Sequence, residues 1–294
     1  MNTAARSSLL MPVAAAVAAM GFIQVGASII KGLFPAVGAQ GATLLRLGVA
    51  SLVMLAIWRP WRSRAAGLPW RWICAYGISL GCMNSVFYAS LSRIPLGIAV
   101  SLEFVGPLGV ALMSSRRAMD FIWVLLAAAG ILLLMPTGIT GQRVDPVGVA
   151  LALGAGFFWA LYIIFGKRAG SGGSGPAVAY GSCIATLAVL PFGLAQAAHG
   201  VLEPGVLPAA IAVAMLSSAI PYSLEMGAMT RLPARTFGVL MSVEPGIGAA
   251  VGYALLGERL APLQLLAIGC IIAASVGSVR SHAVASAADS ALHE

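Results

Sequence analysis

Residues 84–117 read NSVFYASLSRIPLGIAVSLEFVGPLGVALMSSRR, and their pattern is the clearest indication of the fold. One apolar run ends at a short turn over residues 92–95, and a second apolar run continues to the Arg116–Arg117 pair. Apolar runs of membrane length that are joined by so short a gap predict two antiparallel helices crossing a lipid bilayer.

The whole chain has the composition of a membrane protein. Of its 294 residues, 60% are hydrophobic and 9% are charged, whereas a soluble domain carries about 25% charged residues. The net charge of +8 does not indicate nucleic-acid binding, because the basic residues lie in short gaps between apolar runs. The cysteines lie inside apolar stretches without metal-ligand spacing, so the sequence predicts no disulfide, metal site or cofactor.

Ten segments are long and apolar enough to span a bilayer, since a spanning helix needs about 20 mostly apolar residues. Their continuous rather than alternating apolar pattern excludes a β-barrel. The predicted fold is therefore an all-α integral membrane protein with ten transmembrane helices, over 10–33, 39–58, 72–92, 95–114, 121–137, 147–166, 176–196, 207–229, 236–256 and 262–280.

The basic residues predict the orientation of these helices, because Lys and Arg accumulate on the cytoplasmic side. With a cytoplasmic N-terminus, the outer ends carry only Arg93, Arg143 and Arg259, while Lys31 and Arg46 lie inside or at the edge of helices. The cytoplasmic ends then carry Arg6, Arg59, Arg62, Arg64, Arg71, Arg116, Arg117, Lys167, Arg168, Arg231, Arg235 and Arg280. This asymmetry predicts two cytoplasmic termini, and the small polar tail over 282–294 is expected to be disordered.

The sequence also contains an internal repeat. A shift of 138 residues aligns Tyr88–Pro95 with Met226–Pro233, so that Arg93 meets Arg231, and it aligns Pro107 with Pro245. Five helices in each half make the second half enter the membrane upside down. The sequence thus predicts two inverted repeats, 1–138 and 139–281, with a substrate site near the midplane between them. Chance similarity between apolar helices is the alternative.

These residues carry a resemblance to a known family. The chain resembles the EamA branch of the drug/metabolite transporter superfamily through Arg46 in helix 2, Pro107 and Pro245 in helices 4 and 9, and the Gly257–Glu258 pair. The segments 27–35, 84–117 and 221–245 resemble the threonine/homoserine exporter group more narrowly. This resemblance implies export of amino acids across the bacterial inner membrane, with a substrate preference that varies among relatives.

Ionisable residues within the spans are the first candidates for the substrate site. Charged side chains at the membrane centre are costly and usually face an interior cavity. Glu103 in helix 4 and Glu244, directly before Pro245, are candidates to bind a substrate ammonium or to titrate with protons, although a structural role is equally compatible with the sequence. Glu225 is interpreted as structural, and Arg46 as the partner of a carboxylate rather than a substrate ligand.

Polar and aromatic residues complete the predicted substrate site. Asn84 and Tyr88 share a face of helix 3, and Trp159 and Tyr162 share a face of helix 6. Interhelical hydrogen bonding is the simpler interpretation for any one of them. The complete predicted site comprises Gln24, Asn84, Tyr88, Glu103, Trp159, Tyr162, Tyr222 and Glu244.

The leading functional hypothesis is a secondary transporter for amino acids. Proton antiport would use a carboxyl such as Glu103 or Glu244, whereas facilitated diffusion would need none, and the sequence leaves both open. A membrane enzyme acting on a lipid or isoprenoid is the alternative, but the chain contains no HExxH, aspartate-rich or GxSxG motif. The expected partners are a small amino-acid substrate and the lipid bilayer, with protons as a further partner under antiport only.

Overall fold

The computed structural model describes residues 3–62, 68–113, 120–134, 144–172, 174–197, 200, 203–221, 224 and 240–292. Within these ranges the chain is helical and contains no strand. The helices are α1 (Thr3–Gly32), α2 (Phe34–Trp58), α3 (Trp70–Leu91), α4 (Leu96–Glu103), α5 (Val105–Met113), α6 (Asp120–Leu134), α7 (Pro146–Ala169), α8 (Ser174–Ala197), α9 (Val206–Ala214), α10 (Glu244–Leu256) and α11 (Pro262–Leu292). A π-helical segment, Met215–Ala219, continues α9.

These helices confirm the predicted all-α membrane fold. The segments Met11–Gly32, Phe34–Arg62, Pro146–Ala169 and Gly175–Ala197 are long and apolar enough to cross a membrane. Shorter apolar helices occupy Leu96–Val110, Ile122–Leu133, Val206–Ser217 and Pro262–Gly277. Every predicted span contains helix, although parts of 207–229 and 236–256 lie outside the described residues. Large apolar side chains such as Leu52, Leu125 and Phe157 point outward, as lipid-facing residues do.

The helices pack pairwise around a shared interior. Helix α3 packs on α7 and α8, α2 packs on α8, α4 on α10, and α6 on α11. Gly77 allows α3 to approach α8 closely, because a Cβ atom there would lie 2.6 Å from the carbonyl oxygen of Gly181. Small residues at such contacts are typical of membrane helix packing, which needs close backbone approach.

Two of the predicted spans are broken near their centres. Span four is interrupted at Phe104, between α4 and α5, and span nine turns at Ser242 and Val243 before α10 begins. Proline explains both breaks, because Pro107 and Pro245 lack the N–H that would bond the carbonyl four residues earlier. Irregular backbone at this depth is tolerated where it is buried in protein or lines a cavity.

Helix α2 has a different irregularity near its start. Gly38 has φ 68° and ψ 167°, a conformation that side chains with a Cβ atom rarely adopt. The kink takes the amide of Gln40 out of the helical hydrogen-bond pattern, and the side chain of Gln196 accepts from it at 2.9 Å. A polar side chain from α8 thus provides the acceptor for a backbone donor at the start of the helix.

The last helix is longer than the sequence predicts. Helix α11 continues to Leu292, so it includes most of the 282–294 segment that was expected to be disordered. The segment is rich in alanine, which has the highest helix propensity and loses no side-chain entropy on folding. A polar composition therefore did not end the helix.

Candidate functional site

A cavity of about 270 Å³ lies between the two broken spans. Its wall is formed by α1, α2, α3, α4, α7, α8, the π-helical segment and the residues around the turn before α10. The volume is near the lower end of small-molecule sites, which occupy about 300–1,000 Å³. The site is therefore suited to a small solute.

The cavity brings together the predicted site residues that the structure describes. Tyr222 lies outside the described residues, but its neighbour Pro221 lines the cavity. The other predicted residues all line it, namely Gln24, Asn84, Tyr88, Glu103, Trp159, Tyr162 and Glu244. Their convergence is a structural finding, and their role in substrate binding stays a prediction.

The two candidate carboxylates lie beside the breaks in their helices. Glu103 is the last residue of α4 and is 8% exposed, and Glu244 is the first residue of α10 and is 7% exposed. Gln24 donates from Nε2 to Glu244 Oε1 at 3.1 Å. Each carboxylate thus lies at a helix end that faces the cavity.

Arg46 has a different environment from the one that the sequence favoured. Its Nε donates to Ser217 Oγ at 2.8 Å, its Nη1 donates to Asn84 Oδ1, and its guanidinium carbon lies 5.5 Å from the centre of the Tyr88 ring. Within the described part of the chain, no carboxylate lies within ion-pair distance of Arg46. The expected carboxylate partner is thus replaced by an amide, a hydroxyl and an aromatic face.

Local backbone geometry places Ser217 beside Arg46. Ser217 lies in the π-helical segment, a type of turn that is frequent at functional sites. Gly26 of α1 packs directly against it, because a Cβ atom at Gly26 would lie 2.9 Å from Ser217 Cβ. Ser217 and Ser182, which lines the cavity from α8, are not among the residues that the sequence pattern indicated. A single serine in an apolar helix gives no pattern from which its orientation can be read.

Aromatic side chains form one side of the cavity. Trp159 meets Phe104 edge to face at 5.7 Å, and Tyr162 stacks on Tyr76 at 4.9 Å between ring centres. Beyond this tyrosine pair lies a second cavity of about 270 Å³, bordered by Ala169 and Ala177 at the ends of α7 and α8. Tyr76 and Tyr162 line this second cavity, and Tyr162 lines the central one as well.

At the opposite end of the bundle, a partly buried ion pair connects Lys31 and Glu258, and it is here called the Lys31–Glu258 latch. Lys31 Nζ lies 2.6 Å from Glu258 Oε1 and also donates to the carbonyl of Ile94 at 3.4 Å. Glu258 Oε2 accepts from the backbone N–H of Leu96 at 2.7 Å. Gly257, with φ 64°, ends α10 and turns the chain so that Glu258 reaches this position. The latch joins α1, α4 and the end of α10.

A second ion pair at the same end is exposed. Arg93 Nη1 lies 2.8 Å from Asp145 Oδ2, and Asp145 also caps α7 by accepting from the N–H of Val147. The hydrogen bond from Arg93 is the main cause that lowers the pKa of Asp145. The pair lies at the protein surface, so it is screened by solvent and contributes little to stability.

The fold and the cavity define a class of protein: a multi-pass helical membrane protein with a polar site enclosed near the middle of its helices. Comparisons with known proteins specify the class further. The EamA-like transporter family matches residues 146–280. The threonine/homoserine exporter RhtA of Escherichia coli K12 is 53% identical over 268 residues, covering 91% of both chains. RhtA of Salmonella typhimurium LT2 is 52% identical over 268 residues, again covering 91% of both chains.

Two more distant similarities agree with these. The uncharacterized transporter YwfM of Bacillus subtilis is 25% identical over 80% of this chain and 81% of its own. A protein of known crystal structure aligns with a TM-score of 0.58 at 19% identity, covering 92% of this chain and 95% of its own, which is a likeness of fold. The chain belongs to the EamA-like transporter family. It is a multi-pass protein of the bacterial inner membrane and a transporter rather than an enzyme.

Proposed function

We propose that this protein exports amino acids from the cytoplasm, with threonine, homoserine or other neutral or aromatic amino acids as substrates. The identity of 53% to RhtA over 91% of both chains carries this proposal. The cavity supports it, because it combines two carboxylates, an arginine and neutral hydrogen-bonding groups with an apolar wall. The proposed substrate site comprises Gln24, Asn84, Tyr88, Glu103, Trp159, Tyr162, Tyr222 and Glu244.

The proposed architecture is a pair of inverted repeats, 1–138 and 139–281, that alternately open the cavity to each side. The two breaks support it, because Phe104 shifted by 138 residues falls on Ser242. Packing supports it as well. Spans three and six correspond to spans eight and one of the other half. The packing of α3 on α7 therefore corresponds to the packing of α9 and the π-helical segment on α1. Such repeats are common in secondary transporters, with substrate sites between the halves.

The orientation follows from the distribution of basic residues, with both termini in the cytoplasm. The end of the bundle that holds the Lys31–Glu258 latch is then periplasmic. Single cysteines at Arg93 and at Arg231, which lies outside the described residues, test this in a variant whose four native cysteines are replaced. A membrane-impermeant thiol reagent applied from the periplasm is expected to label position 93 and not 231. Labelling of both positions from one side would rule out the inverted repeat.

A counterflow assay in proteoliposomes tests the transport function. Purified protein is reconstituted with trapped unlabelled threonine, and uptake of labelled threonine, homoserine, methionine and phenylalanine is followed. Transient accumulation of at least one label is expected, with none in vesicles that lack the protein. The absence of flux for all these amino acids would contradict the proposed function.

A further inference from the structure

The central cavity has opposite charges on different parts of its wall, and this deepens the proposed function on which it rests. We infer that the site recognises the zwitterionic backbone of an amino acid, with Arg46 binding the carboxylate and Gln24, together with Glu244, binding the ammonium. The side chain of the substrate then lies against the apolar wall. Arg46 and Gln24 act here as specificity-determining residues for transport.

Arg46 is positioned to bind an anionic ligand. Its guanidinium group lines the cavity and is held by the neutral acceptors Ser217 and Asn84. These bonds use Nε and Nη1, and Nη2 donates to no residue in the described part of the chain. A guanidinium in a membrane interior is costly without a counter-charge. Glu103 lies in the same cavity, but no described carboxylate is within ion-pair distance of Arg46, so a substrate carboxylate would be its direct ionic partner.

The side chain of Gln24 has an unused hydrogen-bond acceptor. Its side chain is 3% exposed, and Nε2 is bound to Glu244, which orients the amide. The oxygen, Oε1, is buried and has no hydrogen-bond partner among the described residues. A buried acceptor without a donor is destabilising by the full cost of its desolvation. Because Gln24 lines the same cavity as Arg46, an ammonium group there would face the carboxylate of Glu244. A rotation of the Gln24 amide toward the cavity would let Oε1 accept from it.

The rest of the wall fits the side chain of a small amino acid. Leu80, Met83, Phe87 and Trp159 contribute apolar surface to the cavity. Such a wall discriminates weakly between similar side chains, whereas groups built to hydrogen-bond a ligand reject analogues that lack the bonding group. The structure thus favours tight recognition of the amino-acid backbone and broad tolerance of the side chain.

Two truncated analogues of threonine test this assignment in the reconstituted wild-type protein. 1-Amino-2-propanol lacks the carboxylate, and 3-hydroxybutyrate lacks the ammonium. Each is expected to compete with labelled threonine about ten- to a hundredfold more weakly than unlabelled threonine does, which is the effect of one charge-assisted hydrogen bond. If either analogue competes as well as threonine, the assignment of that group is wrong.

Single variants then separate the two groups. Arg46→Gln is expected to remove the preference for threonine over 1-amino-2-propanol, while 3-hydroxybutyrate still competes poorly. Arg46→Lys is expected to keep part of the preference for threonine over 1-amino-2-propanol. Gln24→Leu is expected to have the converse effect. Ser51→Ala is the control, because its hydroxyl bonds the Gly48 carbonyl at 2.8 Å and does not line the cavity.

The outcomes distinguish this inference from the proposed function. If the wild-type protein carries no amino acid, the transport function itself fails. The wild-type protein could instead carry threonine while the two variants both lose, or both keep, the preferences over 1-amino-2-propanol and over 3-hydroxybutyrate. In that case the assignment of Arg46 and Gln24 is wrong, and the transport function still stands. A variant that does not fold leaves the wild-type competition result to decide, since that result needs no substitution.

Discussion

The residues around Arg46 illustrate how neutral groups can position a charge in a membrane. Asn84 accepts from Arg46 and donates from Nδ2 to the Leu80 carbonyl at 2.9 Å, which fixes the orientation of its amide. Hydrogen bonds to charged groups contribute about 1.5–3 kcal/mol, roughly twice as much as those between neutral groups. The hydrogen bond between Asn84 and Arg46 therefore contributes more to stability than the bond that Asn84 makes within its own helix.

Replacing Asn84 tests this positioning role. Asn84→Ala is expected to raise the KM for threonine counterflow about tenfold while the protein stays folded, because Arg46 loses one of its two described hydrogen-bond acceptors. Ser90→Ala is the control on the same helix, since its hydroxyl bonds the Gly148 carbonyl at 3.0 Å and does not line the cavity. It is expected to lower thermal stability without changing KM. An unchanged KM for Asn84→Ala would remove this residue from the site.

Glu103 is the residue at which coupling to protons can be tested. Glu103→Gln keeps the shape of the side chain and removes its charge. Under proton antiport, we expect the variant to lose the stimulation of net flux by an imposed pH gradient and to keep part of its counterflow, because exchange moves no net protons. Ser101→Ala is the matched control, since its hydroxyl bonds the Gly97 carbonyl away from the cavity. Stimulation that persists in Glu103→Gln would exclude this carboxyl as the titrating group.

At the scale of elements, the approach of α7 to the break in span four depends on missing side chains. A Cβ atom at Gly156 would lie 2.6 Å from the carbonyl oxygen of Glu103, and one at Gly106 would overlap the Gly156 carbonyl. The carbonyl of Glu103 is the group that Pro107 leaves without its helical donor. The glycines thus allow α7 to cover irregular backbone that lipid could not solvate.

Two glycines of α7 provide a matched pair for this contact. Gly156→Ala is expected to lower the melting temperature in detergent by several degrees, since overpacking costs about 1–3 kcal/mol. Gly154→Ala, two residues away, meets nothing within 4 Å and is expected to be neutral or slightly stabilising. Equal melting temperatures for the two variants would show that the close contact is not required.

The sequence predicts elements better than it predicts their partners. Apolar runs and gaps located the spans, because lipid imposes a length that is visible in one dimension. The intramembrane polar residues likewise indicated a cavity, since exposing them to lipid is costly. The partners of Arg46 were not predictable in this way. They depend on a π-helical turn and on the Gly26–Ser217 contact, which only the packing of α1 against the α9 segment determines.

Glu258 shows the same limit at the scale of the whole molecule. From the sequence it is a charged residue in a loop at the end of a helix, yet in the structure it bonds Lys31 and the first amide of α4. The latch thus ties the proposed first half to the proposed second half at one end of the cavity. The proposed alternating access requires that this end open at some stage, and the latch would then break.

Substitutions at the latch are expected to open this end in a graded order. Lys31→Met and Glu258→Gln each remove the ion pair, whereas Glu258→Ala also leaves the Leu96 amide unsatisfied, so its effect is the largest. The measurement is the rate at which an impermeant thiol reagent, applied from the periplasm, modifies Ser217→Cys in protein without the native cysteines. The rate is expected to rise about tenfold or more in the single variants, as the loss of a partly buried charged hydrogen bond implies.

The exposed ion pair at the same end supplies the control. Arg93→Met removes a contact whose two side chains are 48% and 31% exposed, compared with 24% and 12% in the latch. Because surface ion pairs contribute about 0–1 kcal/mol, this variant is expected to leave the modification rate within about twofold of the parent. If Arg93→Met raises the modification rate as much as Glu258→Ala does, the loss of any charge at this end opens the cavity and the latch has no specific role. If Glu258→Ala leaves the rate unchanged, the closure depends on apolar packing around Leu91, Leu96 and Ile98 rather than on the latch.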